Sequence, residues 1–353
     1  MIMTAEIAVP TLVSYPLGLS NTEMAQWKRC PRRWLVEHYL GFLPADEKPY
    51  GKRLLGIRLH TVLEGWYGYG IDPRVVLNLL YQAEITAHPE DEKELLAELE
   101  LASVMIAGYL EWVDAEGKDA TLKVVQTEAE VRVPLPGYEG WVDLRTKMDQ
   151  IVWDTATGYY HFLDHKSLDN FDRAGLLSMD PQMKLYNLVQ WLKAGYPPPG
   201  SGHPLQVDPS RPLVLGGKVN MLRRVKRSAR AKGPFYERAD FTYNPDSMAA
   251  TLAGAQQIAW EILQARKGLD AAWQAGGGPQ VIDLAQRTIC RPVEILHDCS
   301  WSCPLSGGLC TLMSDGSAWW EALESSGRYV RADPYDRYTR GGLEAIQQQL
   351  GRQ

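Results

Sequence analysis

The stretch 140–166, GWVDLRTKMDQIVWDTATGYYHFLDHK, decides how this chain folds. It contains two runs of strand character, near 141–153 and 158–166, joined by the polar segment Asp154-Thr-Ala-Thr-Gly158. A polar segment ending in glycine between two such runs predicts a β-hairpin. The second run, Tyr159-Tyr-His-Phe-Leu163, closes on Asp164-His165-Lys166. Side chains two apart on a strand share a face, so Asp164 and Lys166 are expected to be co-facial, with the His165 carbonyl between them. Asp143, which closes Gly140-Trp-Val-Asp143, is expected to reach the same spot across the hairpin.

Two carboxylates and a carbonyl suit Mg²⁺, which takes oxygen ligands and keeps several waters. Asp143, Asp164 and the His165 carbonyl are the candidate ligands. A cation held there polarises a phosphate and activates a water. Lys166 is placed to orient that water and offset charge in the transition state. The pattern points to phosphodiester cleavage. The triplet alone is a weak signal, because ordinary composition gives roughly two acid-x-Lys triplets by chance in a chain this long. A salt-bridge ladder across a hairpin explains it equally well.

The chain has 353 residues, 45% apolar and 23% charged, as expected of a globular protein. It has no apolar run of membrane-spanning length and no signal-peptide pattern at residues 1–10, so a cytoplasmic location is the expectation. A net charge of −6 argues against a generally basic nucleic-acid coat protein but leaves room for a local basic channel. Twelve Trp and seventeen Tyr against five Phe give side chains that stack on bases, although core packing accounts for many of them.

Residues 1–19 read as an extended arm. Ser20 and Glu23 have capping-box spacing and open a helix that runs toward Cys30, where Pro31 interrupts or restarts it. Lys52 to Tyr69 reads as a helix carrying His60, and Pro73 to Ala115 as two more helices parted near His88-Pro89. The acidic run Glu90 to Glu100 is expected to be a solvated face. Strands are expected at 122–133, 213–225 and 234–243 besides the central hairpin, with a helix at 176–194. These elements predict an α/β fold with a central mixed sheet flanked by helices. A single domain over 20–325, with a helical insert about 70–118 and a tail at 326–353, is the expected organisation.

Four further features carry chemistry. His60 is a possible metal ligand, or else an ordinary helical histidine. Gln182 and Tyr186 are four apart and share one helix face, as members of a site or of a polar stripe. Arg223, Arg224, Lys226, Arg227 and Arg230, with Arg238 beyond, make a basic segment that tracks phosphates or is simply solvated. Cys299, Cys303 and Cys310 cluster near the C-terminus, and with Cys30 they make the four thiolates that a cubane iron–sulfur cluster requires. Zinc is the other reading, though its sites usually show two-residue spacing within a pair. Cys290 is then spare, or replaces one of the four.

In order along roughly residues 20–312, these motifs resemble the RecB-like, iron–sulfur-containing branch of the PD-(D/E)XK nuclease superfamily. That branch includes CRISPR-associated exonucleases and related phage exonucleases. The motifs are Cys30-Pro-Arg-Arg-Trp34, Gly56-x-x-x-His60, Gly140-x-x-Asp143, Asp164-x-Lys166, Gln182-x-x-x-Tyr186 and the three C-terminal cysteines. The resemblance implies a restriction-endonuclease-like core and a DNA exonuclease using Mg²⁺ or Mn²⁺. It implies that His60 joins Asp143, Asp164 and His165 at the metal and that Gln182 and Tyr186 support the site and the DNA strand. It implies further that a structural 4Fe–4S cluster on Cys30, Cys299, Cys303 and Cys310 pins the N-terminal helix to the C-terminal segment. The cysteine spacing is wider than the commonest pattern of that branch. No Gly-x-x-x-x-Gly-Lys-Ser/Thr motif occurs, so DNA ends, or a helicase, recombinase or CRISPR adaptation partner, are the expected company. A catalytically silent DNA-binding scaffold and a restriction-type endonuclease are the competing expectations.

Overall fold

The computed structural model describes residues 15–45, 48–172, 174–202, 214–227, 230–275, 279–290, 299, 303–306, 308–333 and 343. The chain divides into two compact units. Unit 1 takes Met1–Asp46, Pro134–Leu144 and Ala253–Thr339, and unit 2 takes Glu47–Val133, Arg145–Leu252 and Arg340–Gln353. No helix among the described residues is long and apolar enough to cross a membrane.

In unit 1, β1 (Leu17–Ser20) leads into α1 (Asn21–Arg29). The Glu23 N–H donates to Ser20 Oγ at 3.2 Å, so the expected cap forms. The Glu23 carboxylate instead accepts from the indole of Trp34, a fully buried side chain, at 2.9 Å. Pro31 opens α2 (Pro31–Trp34), where its missing N–H costs no helical hydrogen bond. The coil continues as a wider π turn to Tyr39. Gly41, at φ 70°, turns the chain into β2 (Phe42–Pro44), which pairs antiparallel with Tyr329–Arg331.

Unit 2 opens with a helical layer. It comprises α3 (Lys52–Tyr69), α4 (Pro73–Ala87) and α5 (Glu92–Ala115). Gly70 ends α3 in the left-handed conformation that favours glycine. Asp72 caps α4 ahead of Pro73, accepting from the Arg74 N–H at 2.9 Å. The three helices bury Leu59 and Val62 of α3, Val76 and Leu77 of α4, and Met105 and Ile106 of α5 in one cluster, which Leu222 and Tyr236 join. The expected solvated acidic face is partly internal. Arg58 is buried, with Nη1 2.6 Å from Glu98 Oε1 and Nη2 3.1 Å from Glu84 Oε1, so two acidic side chains hold the helices together.

The sheet of unit 2 follows. Its strands are β3 (Leu122–Pro134), β4 (Val142–Asp154), β5 (Tyr159–Leu168), β6 (Val214–Arg223) and β7 (Tyr236–Thr242). β3 pairs with β4, and the order runs on β4-β5-β6-β7. β4–β5 and β6–β7 are antiparallel, whereas β5–β6 is parallel. A parallel pair needs a crossover, and α6 (Pro181–Lys193) lies in it. The helix expected from 176 breaks at Asp180-Pro181, because proline cannot donate to the preceding turn. β4 alternates between buried and half-buried residues, while β5 is buried continuously from His161 to His165, as a central strand covered on both faces should be. A Cβ on Gly217 would fall 2.1 Å from the Phe162 ring, so only glycine lets β6 lie this close to it. The architecture is the mixed sheet with flanking helices that the sequence predicts.

Leu77 is 1% exposed inside the helical cluster. Leu77→Ala is expected to lower unfolding stability by about 2–5 kcal/mol, read from a denaturant midpoint with unchanged slope.

Candidate active site

The hairpin register decides which carboxylates meet. Asp154 pairs with Tyr159, and the ladder continues to Gln150 opposite Leu163. Asp164 lies five residues past Tyr159, and five residues before Asp154 stands Asp149. Asp149, rather than Asp143, is the residue across from Asp164. The Asp143 expectation is corrected accordingly. Asp143 sits six residues earlier on β4, about 20 Å away at the rise of a strand. Its Gly-x-x-Asp pattern belongs to the turn ahead of β4, where Trp141 N–H donates to the Tyr138 carbonyl at 2.9 Å.

Around Asp149 the charged groups converge. His60 Nδ1, on α3, is 3.0 Å from Asp149 Oδ1. The His165 backbone N–H donates to Asp149 Oδ2 at 2.7 Å, and His165 Nδ1 lies 3.4 Å from the same oxygen. A strand residue's N–H and C=O point to the same flank, so the His165 carbonyl faces the Asp149 side. Lys166 Nζ is 3.2 Å from Asp164 Oδ2. Glu128 of β3 adds a further carboxylate, since its ligand atom and those of His60 and Asp149 all lie within 4.8 Å of one another.

The electrostatics follow from burial and proximity. Burial alone would lower the pKa of His60, but the Asp149 carboxylate, helped by Asp164 and Glu128, raises it to about 9. Burial opposes the Asp149 charge, yet His60 and the His165 hydrogen bond hold it well below the usual carboxylate range. Asp164 shifts the other way, because burial outweighs Lys166. Burial disfavours the Lys166 ammonium too, but Asp164 more than compensates and its pKa rises. Lys166 is therefore a cation at neutral pH, a donor and not a base.

Gln182 and Tyr186, both on α6, form a relay. Lys166 Nζ donates to Gln182 Oε1 at 3.3 Å, Gln182 Nε2 donates to the Tyr186 hydroxyl at 2.5 Å, and that hydroxyl donates to the Lys147 carbonyl at 2.7 Å. The fixed carbonyl acceptor sets every donor upstream, so the amide oxygen of Gln182 is turned to Lys166. Tyr186 is 4% exposed and reaches the site through Gln182, not by presenting its hydroxyl to a DNA phosphate.

Behind His165 lies a buried polar network. Its Nε2 is 3.3 Å from both the Tyr109 hydroxyl and Asn220 Nδ2. Tyr109 contacts Tyr67 at 2.9 Å, and Tyr67 donates to Asp119 at 2.7 Å. Arg238 donates to Asn220 at 2.6 Å and pairs with Asp119 at 2.6 Å. The DNA-contact expectation for Arg238 is thus corrected, since its guanidinium is buried and engaged inside unit 2.

The other basic residues also have internal partners. Arg223 donates to the Lys232 carbonyl at 2.8 Å, and Arg224 Nη2 pairs with Asp169 at 3.1 Å. Lys226 pairs with Glu100 at 2.5 Å and Arg227 with Glu111 at 3.1 Å, both acids on α5. Arg230 is exposed.

In unit 1, Arg32 donates to Cys310 Sγ at 3.4 Å and to its carbonyl at 3.1 Å. Burial pushes the Cys303 thiol up, and the Cys30 and Cys299 sulfurs add to the rise. Burial, with Cys30 nearby, pushes Cys290 up to about 12. Cys30 therefore has both Cys303 and Cys290 as neighbours.

The residue set, the sheet and α6 agree with one comparison. The family profile of the PD-(D/E)XK nuclease superfamily matches residues 18–273, well over half of the chain. The chain belongs to that superfamily. PD-(D/E)XK proteins are nucleases, which are hydrolases, and they usually work with divalent metals. No curated protein matches the chain. The hairpin brings Asp149 together with Asp164 and Lys166.

The raised pKa of His60 has a consequence for stability. Its folded value of about 9 lies above its ordinary 6.5, so the His60–Asp149 pair stabilises the fold fully below that ordinary value and progressively less as pH rises through about 9. In metal-free buffer, the melting-temperature gap between wild type and His60→Gln is expected to be larger at about pH 6 than at about pH 9.5. A gap that grew with pH would contradict the assignment.

Proposed function

We propose that this PD-(D/E)XK protein is a Mg²⁺- or Mn²⁺-dependent DNA exonuclease that hydrolyses phosphodiesters at DNA ends, in recombination, repair or CRISPR-type processing. The observation that carries the reading is the convergence of His60, Asp149, Asp164 and Lys166 at one point of the β4–β5 hairpin.

The residues fit a hard divalent cation. Asp164 is 2% exposed, and the charge that faces its Oδ2 is the Lys166 ammonium at 3.2 Å. Burial and the nearby Asp149 carboxylate disfavour its charged form, and a divalent cation between the two acids would offset that cost. His60, Asp149, Asp164 and the His165 carbonyl would hold the ion. When bound, such an ion supplies Lewis acidity to the scissile phosphate and lowers the pKa of a water.

The chain's own groups do the rest. The Lys166 ammonium, fixed between Asp164 and Gln182, donates to the attacking water or to the phosphate oxygens as negative charge builds. The Gln182–Tyr186–Lys147 relay orients the amide oxygen that holds it there. DNA is the substrate in this reading, and a helicase, recombinase or CRISPR adaptation protein is the partner that would supply ends, consistent with the missing nucleotide-binding motif.

Linear and closed circular DNA separate the alternatives. Wild type is expected to degrade linear DNA in a Mg²⁺- or Mn²⁺-dependent way and to spare circles. Asp149→Asn and Lys166→Ala are each expected to lower the rate by about 10²-fold or more, while Asp143→Asn keeps activity near wild type. Equal loss in Asp143→Asn and Asp149→Asn would overturn the site assignment, and cutting of circles at a defined sequence would favour a restriction-type enzyme.

We also propose a structural 4Fe–4S cluster on Cys30, Cys299, Cys303 and Cys310. Its support is the neighbourhood of Cys30, Cys299 and Cys303, with Cys310 tied to α2 by Arg32. Cys290 is fully buried in the packing beside Cys30. Anaerobically purified protein should be brown and carry about four irons per chain. Cys30→Ser should lose both the colour and the iron, and Cys290→Ser should retain them.

A further inference from the structure

We propose that Asn220, oriented by Arg238, is a positioning residue of the site: it donates to His165 Nε2 and so keeps the ring's single hydrogen on Nδ1, against Asp149 Oδ2. Asn220 stands in none of the sequence motifs. Its effect on rate rests on the nuclease reading above, whereas the place of the hydrogen does not.

The sheet lays three residues side by side. In the parallel β5–β6 pair Asn220 is the partner of His165, and in the antiparallel β6–β7 pair it is the partner of Arg238. Cross-strand partners present their side chains on one face, so a single rung runs from the Arg238 guanidinium to the site. All three side chains are buried, and each polar atom among them must be matched from within.

Donors and acceptors along the rung fix the hydrogen at its far end. Arg238 can only donate. Its Nε gives to Asn220 Oδ1 at 2.6 Å, while Nη1 and Nη2 go to the Lys118 carbonyl and to Asp119. The Asn220 atom facing Arg238 must therefore be the amide oxygen. The amide nitrogen, which also only donates, faces the Tyr109 hydroxyl at 2.7 Å and His165 Nε2 at 3.3 Å. Tyr67 spends its hydroxyl hydrogen on Asp119 at 2.7 Å, so the Tyr109 hydrogen goes to Tyr67 at 2.9 Å or to His165 at 3.3 Å. A hydrogen on Nε2 would point at the amino group of Asn220. Nε2 is thus the acceptor, and the neutral ring carries its hydrogen on Nδ1.

At the other edge of the ring, Nδ1 lies 3.4 Å from Asp149 Oδ2, which also takes the His165 backbone N–H at 2.7 Å. The longer contact lacks the alignment of a full hydrogen bond and acts through charge. A hydrogen on Nδ1 attracts the carboxylate, whereas a bare Nδ1 would turn a lone pair on it. With both His165 dipoles on Oδ2, Oδ1 is the oxygen that faces His60, at 3.0 Å. Arg238 and Asn220 set this orientation from behind without touching Asp149.

Nitrogen-15 NMR of the full, metal-free chain, labelled at histidine, reads which ring nitrogen of His165 carries the hydrogen, and His165→Gln identifies its signals. Wild type should show a hydrogen on Nδ1 and a bare Nε2. Asn220→Asp keeps the size but puts an acceptor in place of the donor, so Nε2 should gain a hydrogen. Its kcat on linear DNA should fall by about 10- to 100-fold, with KM near that of wild type. Tyr109→Phe leaves the Asn220 donor in place and should keep Nε2 bare, which tests the assignment if Asn220→Asp folds poorly. A hydrogen on Nε2 in wild type would overturn the inference, as would a bare Nε2 in Asn220→Asp or a hydrogen gained there in Tyr109→Phe. A hydrogen gained in Asn220→Asp with kcat unchanged would overturn the positioning role. Wild type that cleaves no DNA would sink the nuclease reading and the effect on rate with it, while the NMR would still decide the place of the hydrogen.

Discussion

The site depends on where the β4–β5 ladder stops. Backbone pairing runs from Asp154–Tyr159 to Gln150–Leu163, and one step further the acceptor for the His165 N–H is a side chain, Asp149 Oδ2, at 2.7 Å. That exchange turns a strand amide into a clamp on a carboxylate. It fixes Asp149 across from Asp164 and aims the His165 carbonyl at the same space. Because strand side chains alternate with a period of two, a slip of one residue would send either carboxylate to the opposite face. The tight turn from Asp154 to Gly158 enforces the register, with the Gly158 N–H donating to the Asp154 carbonyl at 2.8 Å.

Most of the framework was legible in the sequence for that reason. Turn chemistry and period-two alternation gave the hairpin, and proline and capping residues marked the helix starts at Asn21, Pro31 and Pro73. Asp164 and Lys166 lie 3.2 Å apart, as co-facial strand residues can, and His60 stands 3.0 Å from Asp149. Asp143 carries a local Gly-x-x-Asp pattern, but the register of the hairpin places it six residues from the position across from Asp164. Counting outward from the turn would have selected Asp149, because residues equidistant from a hairpin turn face each other. Glu128 carried a weaker signal, the alternation Glu128-x-Glu130 against Arg145-x-Lys147, which reads as cross-strand ion pairs until the third dimension brings His60 alongside. The basic segment misled in the opposite direction. Sequence cannot show that Lys226 and Arg227 lie against Glu100 and Glu111, so a run that looks like a phosphate track is largely neutralised from within.

The network behind His165 could not be read from the sequence at all, since its members are scattered between positions 67 and 238. Yet it makes the helical layer part of the site. Tyr67 lies in the last turn of α3 and Tyr109 on α5; Tyr109 contacts His165 Nε2 on the strand that carries Asp164, and the Tyr67 ring packs 5.8 Å from the His165 ring. Each polar atom placed there must find a partner, because an unmatched one in the interior costs more than a made bond returns. Arg238 answers Asp119, Asn220 answers Arg238, and Tyr109 and His165 complete the set. The His165 ring is thereby held from behind while its backbone N–H and carbonyl face Asp149. The α5 helix is thus more than a cover over the sheet. Through Tyr109 it braces the strand on which the chemistry depends, and a helical layer packed this tightly on Leu222 and Tyr236 leaves that strand little freedom to shift.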